Sequence, residues 1–142
     1  MPFKEILYGS PDYHRIVELR SEVLRMPLGL TFTQEELMEE RNDLFLAAIE
    51  KETASACCIL TRENTEEVRL RQMAVKPGLQ RKGIGRSLLQ FAESIARERG
   101  YHTLSMHARL SAREFYENQG YEAYGDTFEE VSIPHIRMKK KL

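Results

Sequence analysis

The sequence predicts an α/β fold built on a mixed sheet, and three observations carry that prediction. Short apolar runs of strand length are joined by tight turns. A long strand, Glu66 to Val75, feeds an amphipathic helix through a glycine-punctuated turn at Gln80-Arg81-Lys82-Gly83-Ile84-Gly85-Arg86. A further strand, a short helix and two last strands then follow.

Taken in order, Phe3 to Tyr8 reads as a first strand closed by Gly9. Ser10-Pro11-Asp12 starts a helix: a serine N-cap, a proline in the first turn, and an acid near the positive end of the dipole. Tyr13, Ile16, Val17, Val23 and Leu24 recur at helical spacing until Pro27 and Gly29 end the run. Arg20 falls on the same face, either spanning a rim with its stem buried or aiming into a cleft. Thr33-Gln34-Glu35-Glu36 matches a capping box with Phe32 and Leu37 as its staple, predicting a short helix to about Glu40. Leu44 to Glu50 and Ala54 to Thr61 read as paired strands with a turn near Lys51-Glu52.

In the next strand, Val68 and Leu70 share one face, whereas Met73 and Val75 fall on the other. Either a β-bulge near Arg71-Gln72 or a strand apolar on both faces accounts for the shift in parity. The following helix carries Ile84, Leu88, Phe91, Ala92, Ile95 and Arg99 on one stripe and stops at Gly100. Thr103 to Ala108 alternates as a strand. Ser111-Ala112-Arg113-Glu114 reads as a second capping box, with Leu110 and Phe115 as staple, for a helix ending at Gly120. Tyr121 to Phe128 and His135 to Lys140 complete the chain, joined by a turn that includes Pro134. No internal repeat, low-complexity tract or linker interrupts the series, so one domain over residues 1–142 is expected.

With 21 basic and 22 acidic residues among 142, no global field favours nucleic acid, and the chain is long enough to bury a core without disulfide or metal. The basic end Arg137 to Lys141 reads as a solvated terminus. Cys57 and Cys58 are adjacent and point to opposite faces of a strand, suiting neither a disulfide nor a metal site. A reducing cytoplasm is the expectation. No apolar run approaches a membrane span, and the charged N-terminus lacks a signal-peptide core.

The turn from Gln80 to Arg86 offers free backbone N–H groups at the positive end of a helix dipole, an anion cradle suited to phosphate. Gly78 and Gly83 have Walker A spacing, but Ile84-Gly85 stand where the lysine and hydroxyl would be. Gly83-Ile84-Gly85 opens a dinucleotide fingerprint, but Leu88 replaces the third glycine. Nucleoside triphosphates and nicotinamide cofactors both lose ground.

The run from Arg71 through Val75 to Gly85 resembles the acyl-CoA signature of the GNAT superfamily of N-acetyltransferases: a hydrophobic strand, a short turn, then Gln/Arg-x-x-Gly-x-Gly/Ala opening a helix. Ala112-Arg113-Glu114-Phe115-Tyr116-Glu117-Asn118-Gln119-Gly120-Tyr121 resembles a second element of that family, whose tyrosine lies beside the cofactor's sulfur. The tail Ile133-Pro134-His135-Ile136-Arg137-Met138 is similar to that of small bacterial members. The resemblance implies a mixed, mostly antiparallel sheet with a bulged, splayed central strand and about four helices. It implies that the backbone from Met73 through Ala74 to Val75 pairs with the pantetheine arm of acetyl-CoA. Gln80, Arg81, Lys82, Gly83, Ile84, Gly85 and Arg86 would serve the pyrophosphate, and Ala112 and Tyr116 would also contact the cofactor. The sequence departs from the family at His107-Ala108-Arg109, where many relatives carry an Asn that touches the pantetheine.

The implied reaction is direct acetyl transfer from acetyl-CoA to an amine of a small molecule or protein, with Tyr116 as the acid that protonates the thiolate. Tyr116 could otherwise be a structural tyrosine with a satisfied hydroxyl. His135 leads the candidate bases, ahead of His107, Glu66 and Glu67; an amine that binds already deprotonated would need none. Arg20 and His107 are expected on the acceptor side, where Arg20 and Arg25 hint at a carboxylate-bearing acceptor. No metal, nucleic-acid or membrane partner is expected, and a homodimer is common in such folds. The alternative is a non-catalytic acyl-CoA-binding regulatory module.

Overall fold

The computed structural model describes residues 1–142. Seven strands form one sheet in the order β1-β2-β3-β4-β5-β7-β6. They span Lys4–Ile6, Leu44–Glu50, Thr53–Arg62, Glu67–Val75, Thr103–Arg109, Glu122–Glu130 and Ile133–Lys141, numbered β1 to β7. Every pairing is antiparallel except β4 with β5. The helices are α1 (Pro11–Arg20), α2 (Gln34–Glu39), α3 (Ile84–Glu98) and α4 (Arg113–Asn118). The expected fold class, a mixed and mostly antiparallel sheet with four helices, is the one observed.

Local chemistry fixes most of these boundaries. The Ser10 side chain accepts from the Tyr13 N–H, and the Thr33 capping box closes in both directions with Glu36. Lys51 and Glu52 both take positive φ (50° and 63°), a tight hairpin turn whose twist suits the strands. One feature has no counterpart in the periodicity. After Arg20 the first helix widens into a π-helical turn, Ser21–Arg25, followed by a 3₁₀ turn over Met26–Leu28.

Two expectations need correction. Ser111 does not cap α4: residues Leu110–Ala112 form a 3₁₀ turn, Ala112 takes the cap position, and no side chain bonds the first N–H groups. The last hairpin turns at Val131-Ser132, both at positive φ, while Pro134 lies within β7 opposite Glu129.

The sheet separates two cores. On one side α3 covers Leu46, Cys58, Leu60, Val68, Leu70 and Leu104; on the other α1 covers Phe45, Ala47, Cys57, Ile59 and Ala74. Cys57 and Cys58 therefore do point to opposite faces, both buried, and burial holds both thiols protonated by raising their pKa.

The parity shift in β4 is a bulge. Register passes from Cys57↔Ala74 to Ile59↔Arg71, so Gln72 and Met73 together stand opposite Cys58, and Gln72 has φ 51°. Val68 and Leu70 before the bulge, and Met73 and Val75 after it, consequently pack on the same α3-side core. Pairing between β4 and β5 covers only Glu67–Leu70 with Thr103–Met106. Beyond that point the strands part, and a cavity opens between them.

Candidate active site

The cavity has a volume of about 370 Å³. Its apolar wall comes from Leu70 and Met73 of β4, Met106 and Ala108 of β5, and Ala112 and Tyr116 around α4. The opposite wall is polar: Arg69 and Arg71 of β4, His107 and Arg109 of β5, and His135 with Glu130 from the last hairpin. Leu24 and Arg25, carried by the π-helical turn, close the α1 end.

Tyr116 is half-buried, with its ring edge-on to Phe115 and Tyr121 at centroid distances of 5.0 and 5.9 Å. Its hydroxyl pairs with no protein group, whereas the Tyr13 and Tyr121 hydroxyls are both bound to carboxylates. Burial above all pushes its pKa up to about 12, so the phenol is protonated at neutral pH.

His135 is buried, and its Nδ1–H donates to the Ile133 carbonyl at 2.7 Å, leaving Nε2 as the basic nitrogen. That Nε2 lies 3.7 Å from Glu130 Oε2, and His107 Nδ1 lies 3.0 Å from Glu130 Oε1. Phe128 presents its ring beside both histidines. Partial burial raises the Glu130 pKa, but the bond and charge of His107, then the charge of His135, bring it below the ordinary value. Sequence reasoning missed Glu130. It is one of many exposed acids, and only the β5-β7-β6 order brings it to the cavity.

At the loop, Gly83 caps α3 in the left-handed region (φ 78°), and Arg81 is also left-handed (φ 65°). The N–H groups of Ile84, Gly85 and Arg86 have no acceptor within the helix. A Cβ on Gly83 would meet nothing within 4 Å, and one on Gly85 would meet Phe115 Cζ at 3.8 Å and Met73 Sδ at 3.9 Å, ordinary contacts. Packing within the protein therefore does not demand glycine at residue 85. Arg81, Lys82 and Arg86 are exposed and unpaired. Gln80 turns back, its Nε2 donating to the Val75 carbonyl at 3.0 Å. Ala74 packs into the α1-side core, so only its backbone is presented to the cleft.

Of the two residues expected on the acceptor side, His107 lines the cavity and Arg20 does not. Arg20 is 1% exposed; its Nη1 and Nη2 donate to Glu40 at 2.8 and 2.9 Å, and its Nε donates to Gln72 at 2.7 Å. It borders a separate, smaller cavity of about 220 Å³ beside Glu36, Glu39 and Asp43. Glu66 and Glu67 also lie away from the main cavity, at the far end of the parallel pairing, with Glu67 accepting from Ser105 Oγ at 2.8 Å.

Comparison with known proteins agrees with this architecture. Uncharacterized protein YyaT of Bacillus subtilis is 27% identical over 74 residues, covering 52% of this chain and half of YyaT's length. A crystal structure of an acyl-CoA N-acyltransferase from Pseudomonas aeruginosa superposes with a TM-score of 0.85 at 17% identity, covering 98% of both chains. A GNAT family acetyltransferase from Elizabethkingia anophelis, solved with acetyl-CoA bound, gives a TM-score of 0.74 at 18% identity, covering 99% of this chain and 97% of that one. At those identities the likeness to the solved structures is one of fold. No helix is long and apolar enough to cross a membrane. The acetyltransferase (GNAT) domain family matches residues 29–142, a span that takes in the bulged strand, the glycine turn and the helix of Tyr116, and the chain belongs to that family.

Proposed function

We propose that the protein is an N-acetyltransferase that moves an acetyl group from acetyl-CoA directly to an amine. The single observation carrying this reading is the parting of β4 and β5 beside the bulge, with an unpaired Tyr116 hydroxyl on one wall and His135 on the other. The strand edge from Met73 to Val75 is placed to bond an extended pantetheine arm, much as an added strand would. The free N–H groups of Ile84, Gly85 and Arg86 suit the pyrophosphate, supported by Arg81, Lys82 and Arg86. The small residue at Gly85 leaves room there that the protein's own packing does not use. Gln80 acts by holding the Val75 carbonyl rather than by touching phosphate.

Acetyl-CoA supplies an activated acetyl thioester. A neutral acceptor amine attacks its carbonyl carbon, the C–S bond breaks, and the proton lost by nitrogen passes to His135 Nε2. The departing sulfur accepts a hydrogen bond from Tyr116 and takes its proton from solvent, giving free thiol and amide, while His135 returns its proton to solvent. With its pKa near 12, Tyr116 is a weaker donor than an ordinary phenol against a thiol near about 8.5, so it acts mainly by hydrogen bonding as sulfur leaves.

The test mixes protein, acetyl-CoA and a panel of amines and measures thiol release. Tyr116→Phe should lower turnover by about 10²–10⁴-fold, with little change in acetyl-CoA binding. An unchanged rate removes Tyr116 from the mechanism. Acetyl-CoA binding with no thiol release from any amine would favour a regulatory binding module instead.

A further inference from the structure

The polar wall of the cavity holds more positive charge than its surroundings balance. Arg25 is paired with Glu36 at 3.1 Å and lies over the Phe32 ring, and Arg71 lies 3.6 Å from Asp43. Arg69 reaches Glu63 with Nη1 at 3.4 Å, but its Nε is buried without any acceptor. Arg109 has neither an ion pair nor a hydrogen bond. Glu130, the only acid lining the cavity, is already shared by His107 and His135.

Register sets these groups in a row, with Arg69 and Arg109 about 13 Å apart along the strands and His107 between them. Arg69 lies opposite Ser105 across the parallel pair, so Arg69, His107 and Arg109 project from the same face of the sheet. Arg109 lies opposite His135 on the antiparallel side, which puts it beside the histidine proposed to receive the amine's proton. A buried guanidinium N–H without a partner is costly, and an anion bound at the exposed part of the same guanidinium would offset that cost through its charge.

Resting on the acetyl-transfer reading, we infer that the acceptor is an amine that also carries a carboxylate, held by Arg69 and Arg109 while its nitrogen faces His135. Planar guanidinium groups match carboxylates in two-point contact, which fixes orientation as well as affinity. The same basic wall repels polycationic amines and so acts as a filter as well as a clamp.

The experiment compares matched amines differing only in the carboxylate, such as tyrosine against tyramine and phenylalanine against its amide, with short peptides bearing an acidic N-terminal residue as a third arm. The expected result is a kcat/KM higher by about 10- to 100-fold for the member with the carboxylate. Preference for the free amino acids over the peptides identifies a small-molecule acceptor; the reverse identifies an acidic polypeptide, and both retain the carboxylate. In Arg109→Gln the ratio between matched members should collapse towards one while acetyl-CoA affinity holds. Arg69→Gln should act in the same direction. Thiol release that is equal for the two members, or faster for the member without the carboxylate, overturns the inference but leaves acetyl transfer standing. Release from no amine overturns the transferase reading and this inference with it.

Discussion

Two buried charge networks brace opposite sides of the cavity, and they are built differently. On the α1 side, Arg20 and Glu40 form a two-point pair with side chains only 1% and 5% exposed; Tyr13 donates to Glu40 at 2.6 Å, and Gln72 of the bulge accepts from Arg20. On the α3 side, Lys140 reaches Glu93 at 3.1 Å while remaining 26% exposed; Tyr121 donates to Glu93 at 2.7 Å, and Lys140 donates to the Gln119 carbonyl at the end of α4. The first network ties down the bulge that splays the sheet, and the second ties down the helix that carries Tyr116. Only in the first are both ionic partners almost fully covered, so it depends chiefly on its own partners. An uncompensated charge there has nowhere to go, whereas Lys140 can turn outward.

The sharpest way to break the contrast is Glu40→Ala, which strands the Arg20 guanidinium in the interior. A loss of about 3–5 kcal/mol is expected, measured as a lowered urea midpoint with an unchanged slope. Lys140→Met should cost less, about 1–2 kcal/mol, because the buried Glu93 keeps its bond from Tyr121 and a second cation, Arg97, at 4.0 Å. Equal losses in the two variants would mean that burial does not separate the networks. Replacing the whole first cluster with apolar groups, as Arg20→Met/Glu40→Leu/Tyr13→Phe, should bring stability to within about 1–2 kcal/mol of the parent. Acetyl transfer should still fall, because Gln72 loses its anchor and the bulge is free to slip. Recovery of both properties would reduce the network to packing alone.

The smallest effect is a pH dependence shared by the two networks. Burial first, then the bonded carboxylate, raises the pKa of Tyr13 and of Tyr121 above the ordinary phenol value. A folded-state pKa above the unfolded one gives stability that is complete below about pH 10 and is lost as pH rises further. The denaturation midpoint should therefore decline steadily above that value, and less steeply in Tyr13→Phe or Tyr121→Phe. A profile flat to pH 11 would contradict both assignments.

What could be read from the sequence was what is local. The Ser10 cap, the Thr33 box, the Lys51-Glu52 turn and the Gly83 helix start each lie within a few residues of the structure they specify. The bulge at Gln72 was visible because a one-residue slip in alternation leaves a mark on the apolar pattern. The α4 start was misread because Ser111 fits a capping pattern while a 3₁₀ turn shifts the cap to Ala112. Arg20 could be placed on the buried face of its helix, but nothing local named Glu40 as its partner. Glu40 belongs to an acid-rich stretch in which most neighbours are solvated. Glu130 joins Arg69 and Arg109 at one cavity only because β7 inserts between β5 and β6, an order that periodicity does not encode.

The π-helical turn at Ser21–Arg25 bears on how such a site can diversify. A π turn holds one residue more than the α-helical turn it replaces, so it behaves as a reversible insertion within a helix whose earlier turns stay in place. Removing one residue would rewind that turn as α-helix and change which of its own side chains face the cavity, while the segment after it keeps its place. Leu24 and Arg25 would leave the mouth of the cavity while Tyr13, Ile16 and Leu19 stayed in the core. A lineage could thus exchange the residues at the mouth of its cavity by a single-codon gain or loss, leaving the bulged strand and the glycine turn unchanged.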